Sequence, residues 1–297
     1  MIKKNTILVT SLGRTGTEFF AKFFSDVLPG CTSLHEPDII NNPFLHNNNK
    51  NYLQQFKYAG IWRLVFLKML RQWTVVFLSD DRLRGKLEDA QAAKQLYQQR
   101  SNFISGLPGS VYVESNLGFY GLLDITPRVF EHHKAVYIVR DGREWVTSRL
   151  NWGEVYIKKG LRGYFSHSWP VASQVPGDAF SGEWSSFSDF EQLCWAWSRL
   201  NAFALNSIEK NPDARVYKFE NIFRGNARYD TLDDLVSFVT ALPDIDPSGL
   251  KSTRGWLEQK IHQSANKFPG WDGWTESQKN FFELTCGPVM EKLGYTQ

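Results

Sequence analysis

Residues 7–20, which read ILVTSLGRTGTEFF, combine residue types that can bind a phosphate group. A run of β-forming residues ends in a short turn rich in glycine and threonine with one arginine, and a helical pattern begins directly after it. A helix that starts after such a turn presents unpaired backbone N–H groups and the positive end of its dipole. The stretch therefore predicts an anion site, although such turns also contain glycine and threonine for geometry alone.

The predicted anion site offers backbone amides, two hydroxyls and one guanidinium to the anion. Its residues are Gly13, Arg14, Thr15, Gly16, Thr17 and Glu18. The usual loop for a nucleotide triphosphate places a lysine directly after its second glycine, whereas Thr17 holds that position here. We therefore keep a nucleotide or small-molecule kinase with a degenerate loop only as an alternative.

A second basic turn follows a later predicted strand. The stretch AVYIVRDGREWVTSRLNW reads as a buried strand, then Arg-Asp-Gly-Arg, and then a helix that carries Ser148. Open α/β sheets bind ligands at the carboxyl ends of their parallel strands. A guanidinium pairs with two phosphate oxygens at once, so we expect Arg140 and Ser148 to bind a second phosphate. Taken alone, an Arg-Asp pair is also a common structural feature.

Together, the two turns resemble the motifs of the sulfotransferase family, whose donor is 3′-phosphoadenosine 5′-phosphosulfate (PAPS). In that family a loop of the type Arg/Lys-Ser/Thr-Gly-Thr binds the 5′-phosphosulfate, and residues 14–17 match it. The family motif for the 3′-phosphate is Arg-Asp-x-Arg, then four residues, then Ser, which Arg140, Arg143 and Ser148 match. The resemblance implies PAPS as the donor, adenosine 3′,5′-bisphosphate (PAP) as the product, and no metal ion.

The resemblance extends less specifically over most of the chain. Residues 197–222 look like the helix and strand that follow the 3′-phosphate motif in bacterial members, and ESQKNFFELTCGPVMEKLGY looks like their closing helix. Many relatives also supply a late Arg/Lys-Gly loop to the 3′-phosphate, but this chain reads SANKFPGWDGW there. Lys267 is the substitute that this region offers, and we do not assign it to the site.

His35 and Glu36 stand next to each other in SLHEPD, where a second strand is expected to end. Successive strand side chains point to opposite sides, so we expect only one of the two to face the site. Glycan-type sulfotransferases commonly use a glutamate at the corresponding place, so the resemblance implies Glu36 as the general base and Arg14 as the cation on the leaving phosphate. His35 is the rival base, and pairing of Glu36 with an arginine is the structural alternative. For Glu114 we expect structural hydrogen bonding.

Short β-rich runs alternate with helical patterns, an order that predicts an α/β fold in three layers. We expect a central parallel sheet, helices on both faces, helical insertions and a P-loop-like turn after the first strand. The β-rich runs are residues 7–11, 111–115, 135–139 and 216–219. Ser/Thr-x-x-acid/amide patterns predict that helices start after Ser188, Thr231 and Thr275.

We predict one domain over residues 1–297, because neither a low-complexity linker nor an internal repeat divides the chain. Two insertions interrupt it: a helical one at about residues 50–105 and an aromatic-rich one at about 151–188. In the first, we favour a packed amphipathic helix at residues 60–78 over a membrane contact. The aromatic residues of the second either bind the acceptor or form a small core. They are Trp152, Tyr156, Tyr164, Phe165, Trp169, Phe180 and Trp184.

The net charge and the cysteines of the chain indicate which partners and which cellular compartment to expect. A net charge of only +3 gives no argument for nucleic acid. Three cysteines at long spacing fit neither a disulfide scaffold nor a zinc site, and with no secretion signal visible we expect a cytoplasmic protein. The sequence does not decide whether the acceptor is a carbohydrate, another small molecule or a lipid. It gives no indication of the oligomeric state. A non-catalytic nucleotide-binding protein is the third alternative.

Overall fold

The computed structural model describes residues 1–38, 58, 60, 62, 73–152, 169–258 and 267–295. At its centre lies a five-stranded sheet in the order β2-β3-β1-β4-β5, with parallel pairing between all neighbours. The strands are β1 (Asn5–Ser11), β2 (Cys31–His35), β3 (Val111–Ser115), β4 (His133–Val139) and β5 (Ala214–Lys218). Since all strands run the same way, the turns that follow β1, β2, β3 and β4 lie along one edge of the sheet.

Helices cover both faces of the sheet. The α-helices with assigned bounds are α1 (Thr17–Val27), α2 (Val75–Leu83), α3 (Asp89–Ser105), α4 (Gly142–Trp152), α5 (Asp189–Ile208), α6 (Phe219–Phe223), α7 (Arg228–Thr240) and α8 (Glu276–Lys292). The core on one face joins α1, α6 and α7, and the core on the other joins α2, α3, α4, α5 and α8. The predicted three-layer α/β fold with a central parallel sheet is confirmed.

The strands supply both cores because successive side chains alternate between the two faces. In β1, Ile7 and Val9 lie in the core under α1, whereas Leu8 lies in the core on the opposite face. All three side chains are fully buried. This explains the near-continuous apolar runs from which the sheet was predicted, since both faces of each central strand are covered.

The helix α1 holds its amino end against the sheet with an aromatic face. Phe20, Phe23, Phe24 and Val27 recur at three- and four-residue spacing and are all buried. Phe19 stacks on Phe23 with ring centroids 5.6 Å apart. Burial of each such side chain contributes about 1.5–3 kcal/mol, so this face fixes where the amino end of α1 points.

Two of the three predicted helix starts are confirmed. Ser188 and Thr275 each cap a helix in a reciprocal capping box, with Glu191 and Gln278 as their partners. The prediction at Thr231 was wrong, because α7 already begins three residues earlier. The hydroxyl of Thr231 donates instead to a backbone carbonyl one turn back, at 2.9 Å.

Both predicted insertions lie partly outside the described residues. Of residues 60–78, the structure describes only 60, 62 and 73–78, and Tyr156, Tyr164 and Phe165 also lie outside. Trp184 of the aromatic-rich insertion packs as core, since it is buried and its ring lies 4.9 Å from that of Trp195, whereas Trp152 is exposed. No helix of the described ranges is long and apolar enough to cross a membrane. The single-domain division stays a prediction.

Candidate active site

The turn between β1 and α1 has an unusual backbone. Gly13, Arg14 and Gly16 have φ angles of 76°, 59° and 83°, in the left-handed region. Glycine adopts this region freely, but for Arg14 it costs about 1–2 kcal/mol. A β-carbon built on Gly16 lies 3.0 Å from the ring of Phe223, so a side chain there meets both strain and a close contact. The sequence places its glycines where the turn requires them.

Some polar groups of this turn bind the turn itself. The N–H of Gly13 donates to Ser11 Oγ at 3.0 Å, and Thr15 Oγ1 donates to the same oxygen at 2.5 Å. Thr15 is buried. No side chain caps the amino end of α1, where Gly16 is the N-cap residue. The Thr15 hydroxyl is therefore engaged within the turn. The donors that we expect an anion to meet here are the Arg14 side chain and backbone N–H groups of the turn and of the start of α1.

The second predicted turn lies against the first. Arg140, at the end of β4, donates from Nη1 to the carbonyl oxygen of Arg14 at 3.2 Å, across 126 residues of sequence. Arg14 Nε in turn lies 3.4 Å from Ser148 Oγ on α4. The Arg14 guanidinium also covers the half-exposed ring of Trp152, 4.2 Å from its centroid. The two basic turns are thus in direct contact.

Glu144 places a negative charge next to Arg140. Its carboxylate accepts from Arg140 Nη2 at 2.9 Å and from Arg224 Nη1 at 2.6 Å. Burial raises the pKa of Glu144, but the hydrogen bonds from Arg224 and Arg140 outweigh it, so the pKa lies below its ordinary value. Glu144 is therefore ionised at neutral pH and holds the Arg140 guanidinium in place. Among the described contacts, each terminal nitrogen of Arg140 keeps one N–H for a further acceptor.

His35 and Glu36 do not point to opposite sides, and the expectation that only one of them would face the site was wrong. The strand β2 ends at His35, and Glu36 has a φ of 43°, which ends the alternation of the strand. His35 Nε2 lies 3.9 Å from Glu36 Oε1 and 3.2 Å from Thr17 Oγ1 at the start of α1. His35 therefore stands beside the predicted phosphate-binding turn, with Glu36 next to it.

A fully buried ion network holds the chain that leaves Glu36. Arg100 on α3 pairs with Asp38 at 2.9 Å and with Glu114 at 2.7 Å. Asn116 donates to the second oxygen of Asp38 at 2.8 Å. Burial lowers the pKa of Arg100, but the adjacent carboxylates of Glu114 and Asp38 raise it by a larger amount. The pKa of Arg100 therefore lies above its ordinary value. Glu114 has the structural hydrogen-bonding role that the sequence predicted.

Lys267 lies against α4. The backbone N–H groups of Lys267 and Phe268 both donate to Asn151 Oδ1 at 2.6 Å, which docks this segment on the helix. A cavity of about 450 Å³ opens there. It is lined by Thr147, Lys267, Phe268, Pro269 and Gly270. Within the described ranges, the structure contains no group of three or more His, Cys, Asp or Glu residues arranged to hold a metal ion.

Comparison with solved structures finds this fold among sulfotransferases. The sulfotransferase STF1 from Mycobacterium tuberculosis matches over 95% of this chain and 77% of its own, with a TM-score of 0.50 and 15% identity. The sulfotransferase domain from the curacin biosynthetic pathway matches over 100% of this chain and 99% of its own, with a TM-score of 0.43 and 13% identity. No protein-family model and no curated protein sequence matches the chain. At these identities the similarity to the mycobacterial enzyme concerns the fold.

Proposed function

We propose that this chain is a sulfotransferase that moves a sulfuryl group from PAPS to a hydroxyl of a carbohydrate, another small molecule or a lipid. The observation that supports the proposal most is the contact between the two basic turns. Arg140 reaches the backbone of Arg14 at 3.2 Å, and Arg14 reaches Ser148 at 3.4 Å. Two basic turns in contact suit a donor that carries phosphate groups at two separate positions.

The polar and cationic groups of the two turns suit the negative charges of PAPS. In this proposal residues 13–18 bind the 5′-phosphosulfate through Arg14 and the amino end of α1. Arg140 and Ser148 bind the 3′-phosphate, and Arg140 keeps N–H groups for that contact beyond those that Glu144 and Arg14 engage. When bound, PAPS supplies the sulfuryl group that is transferred. The 5′-phosphate of PAP is a good leaving group. We propose that no metal ion takes part.

Glu36 is the proposed general base. Its carboxylate takes the proton of the acceptor hydroxyl as the acceptor oxygen bonds to sulfur and, in line with it, the bond from sulfur to the bridging phosphate oxygen breaks. Arg14 and the amino end of α1 hold the negative charge that develops on the phosphate, so that PAP and a sulfate ester are the products. His35, 3.9 Å from Glu36, is the rival base.

Ligand binding tests the proposal before an acceptor is known. PAP, at about 100 times its Kd, is expected to add about 2.7 kcal/mol to the free energy of unfolding, whereas ATP with Mg²⁺ adds little. Arg14→Ala and Arg140→Ala are each expected to remove most of that gain. Arg215→Ala is the matched control, because Arg215 lies near the amino end of β5 and pairs with Asp234.

Three results would contradict the proposal or a part of it. Stabilisation by ATP with Mg²⁺ but not by PAP would favour the kinase alternative. Unchanged PAP binding by the Arg140→Ala variant would refute the assignment of the second turn. A wild-type protein that binds PAP but releases none from PAPS, with any of a panel of hydroxyl acceptors, would favour a non-catalytic nucleotide-binding protein.

A further inference from the structure

Three consecutive backbone carbonyl groups of the phosphate-binding turn accept hydrogen bonds from the segment that runs from the end of β4 through α4. The bonds are Arg149 Nη2 to Leu12 O at 2.6 Å, Trp145 Nε1 to Gly13 O at 3.1 Å and Arg140 Nη1 to Arg14 O at 3.2 Å. We call Arg140, Trp145 and Arg149 the carbonyl clamp. Of its members, only Arg140 was recognised as a site residue from the sequence.

The clamp fixes the direction of the amide groups as well. Each peptide bond of the turn is trans, so the N–H of one residue points opposite to the carbonyl of the residue before it. By holding the carbonyls of residues 12–14, the clamp orients the N–H groups of residues 13–15. The N–H of Gly13 donates to Ser11 Oγ. The clamp therefore sets the orientation of the next two N–H groups, those of Arg14 and Thr15.

Trp145 and Arg149 are buried and packed against other side chains. Trp145 is 3% exposed and Arg149 is 7% exposed. The Arg149 guanidinium packs 4.9 Å from the centroid of the Trp145 ring and 5.7 Å from that of Trp169. Its Nη2 also lies 3.0 Å from the position of a β-carbon on Gly13, so a side chain there would displace the guanidinium. Packed in this way, the donors lose little freedom when they hold the turn.

We propose that Trp145 and Arg149 are positioning residues that preorganise the turn for a phosphate group of the donor. The proposal rests on the proposed function and adds two residues to it. The left-handed backbone at Arg14 is unfavourable on its own, and the clamp supplies hydrogen bonds that favour it, including a charged one from Arg149. Since Arg140 belongs both to the clamp and to the proposed 3′-phosphate site, the geometry of one turn depends on the other.

The test compares Trp145→Phe and Arg149→Met, which each remove the donating group, with the control Trp195→Phe, which loses the same part of its ring as Trp145→Phe. Trp195 is equally buried, but its Nε1 donates to Asp178. Amide hydrogen exchange of residues 12–17 without ligand is expected to accelerate at least about tenfold in both clamp variants and to stay unchanged in the control. The Kd for PAP and the KM for PAPS are expected to rise about tenfold, with the acceptor KM unchanged. Arg149→Lys, which keeps a charged donor, is expected to restore part of the affinity.

The hydrogen-exchange measurement tests this proposal, whereas the binding of PAP also tests the proposed function. Exchange in residues 12–17 that equals wild type in both clamp variants overturns the proposal, whatever their affinity for PAP. Equal acceleration in the Trp195→Phe control overturns it as well, because the effect would then be general destabilisation. A wild-type protein that binds no PAP contradicts the proposed function, while the exchange arm still decides whether the clamp orders the turn.

Discussion

Glu36 combines a strained backbone with a buried side chain. Its φ of 43° lies in the left-handed region, and the residue is only 7% exposed. Such a conformation costs of order 1–3 kcal/mol and persists where the surroundings enforce it. Here the N–H of Glu36 donates to Ser115 O at 2.9 Å, and Asp38, two residues on, belongs to the buried network with Arg100. The fold thus holds the Glu36 carboxylate beside His35 at an energetic cost.

Replacement of Glu36, the proposed base, is therefore expected to act on turnover alone. Glu36→Gln keeps the size of the side chain but removes its ability to accept a proton, so we expect the turnover of PAPS to fall about 10²-fold or more. The Kd for PAP is expected to stay within about twofold, because neither proposed phosphate contact involves Glu36. His35→Gln serves as the comparison and is expected to have the smaller effect. The reverse order of the two effects would make His35 the base.

The residue types of the site could be predicted, but not all of their contacts. Phosphate binding requires glycine, hydroxyl and arginine groups after a strand, and these stand out in the sequence. The partner of each hydroxyl depends on the folded turn, which is why Thr15 donates to Ser11. The motif assigns no role to Trp145, which stands at one of its four unspecified positions, or to Arg149, which follows its serine. Their spacing of four on one helix is the signal that could have pointed to a shared contact.

At the scale of elements, strands were easier to predict than helix starts. A strand that is covered on both faces is apolar on both, so its run of apolar residues stands out in the sequence. The bounds of β3, Val111–Ser115, are the predicted ones. A Ser/Thr-x-x-acid pattern caps a helix only if the residues before it leave the helical conformation. Ahead of Thr231 they remain helical from Arg228 on, so the local pattern was overridden.

This difference predicts unequal effects of two similar substitutions. Thr275 Oγ1 accepts from the N–H of Gln278 at 3.2 Å, and the Gln278 side chain accepts from the Thr275 N–H at 2.9 Å. Thr275→Ala is therefore expected to lower the free energy of unfolding by about 1 kcal/mol in urea denaturation. Thr231→Ala is the matched control and is expected to change it by less than about 0.5 kcal/mol, since alanine has the higher helix propensity. Equal losses at the two positions would contradict the capping argument.

At the scale of the whole molecule, the order of the strands could not be read from the sequence. The third strand in the chain, β3, inserts between β1 and β2, and β4 joins β1 from the other side. Each of these pairings joins distant segments, so nothing local specifies them; the helices that cover both faces select the order. The same covering buries polar side chains far from the proposed site, among them His133 at the start of β4.

His133 makes the stability of the molecule depend on pH. Burial lowers its pKa to about 4; the charge of Asp213 opposes this shift and that of Lys134 adds to it. Below the ordinary histidine pKa of 6.5 the unfolded chain binds a proton that the folded protein refuses until about pH 4. The free energy of unfolding is therefore expected to fall as the pH falls from 6.5 towards 4. For this one group the loss between pH 6.5 and 5 is about 1.5 kcal/mol.

Urea denaturation at pH 6.5, 6, 5.5 and 5 measures this loss. Wild type and His132→Gln are expected to lose about 1.5 kcal/mol more over this range than His133→Gln, which has no imidazole to protonate at that position. His132 is the matched control because it is the neighbouring histidine, lies exposed and pairs with Glu131 at 3.7 Å. The hydrogen bond between His133 Nε2 and Thr126 Oγ1, at 2.9 Å, places the ring within the folded core. A His133→Gln variant whose stability falls with pH as steeply as that of wild type would show that other groups cause the dependence.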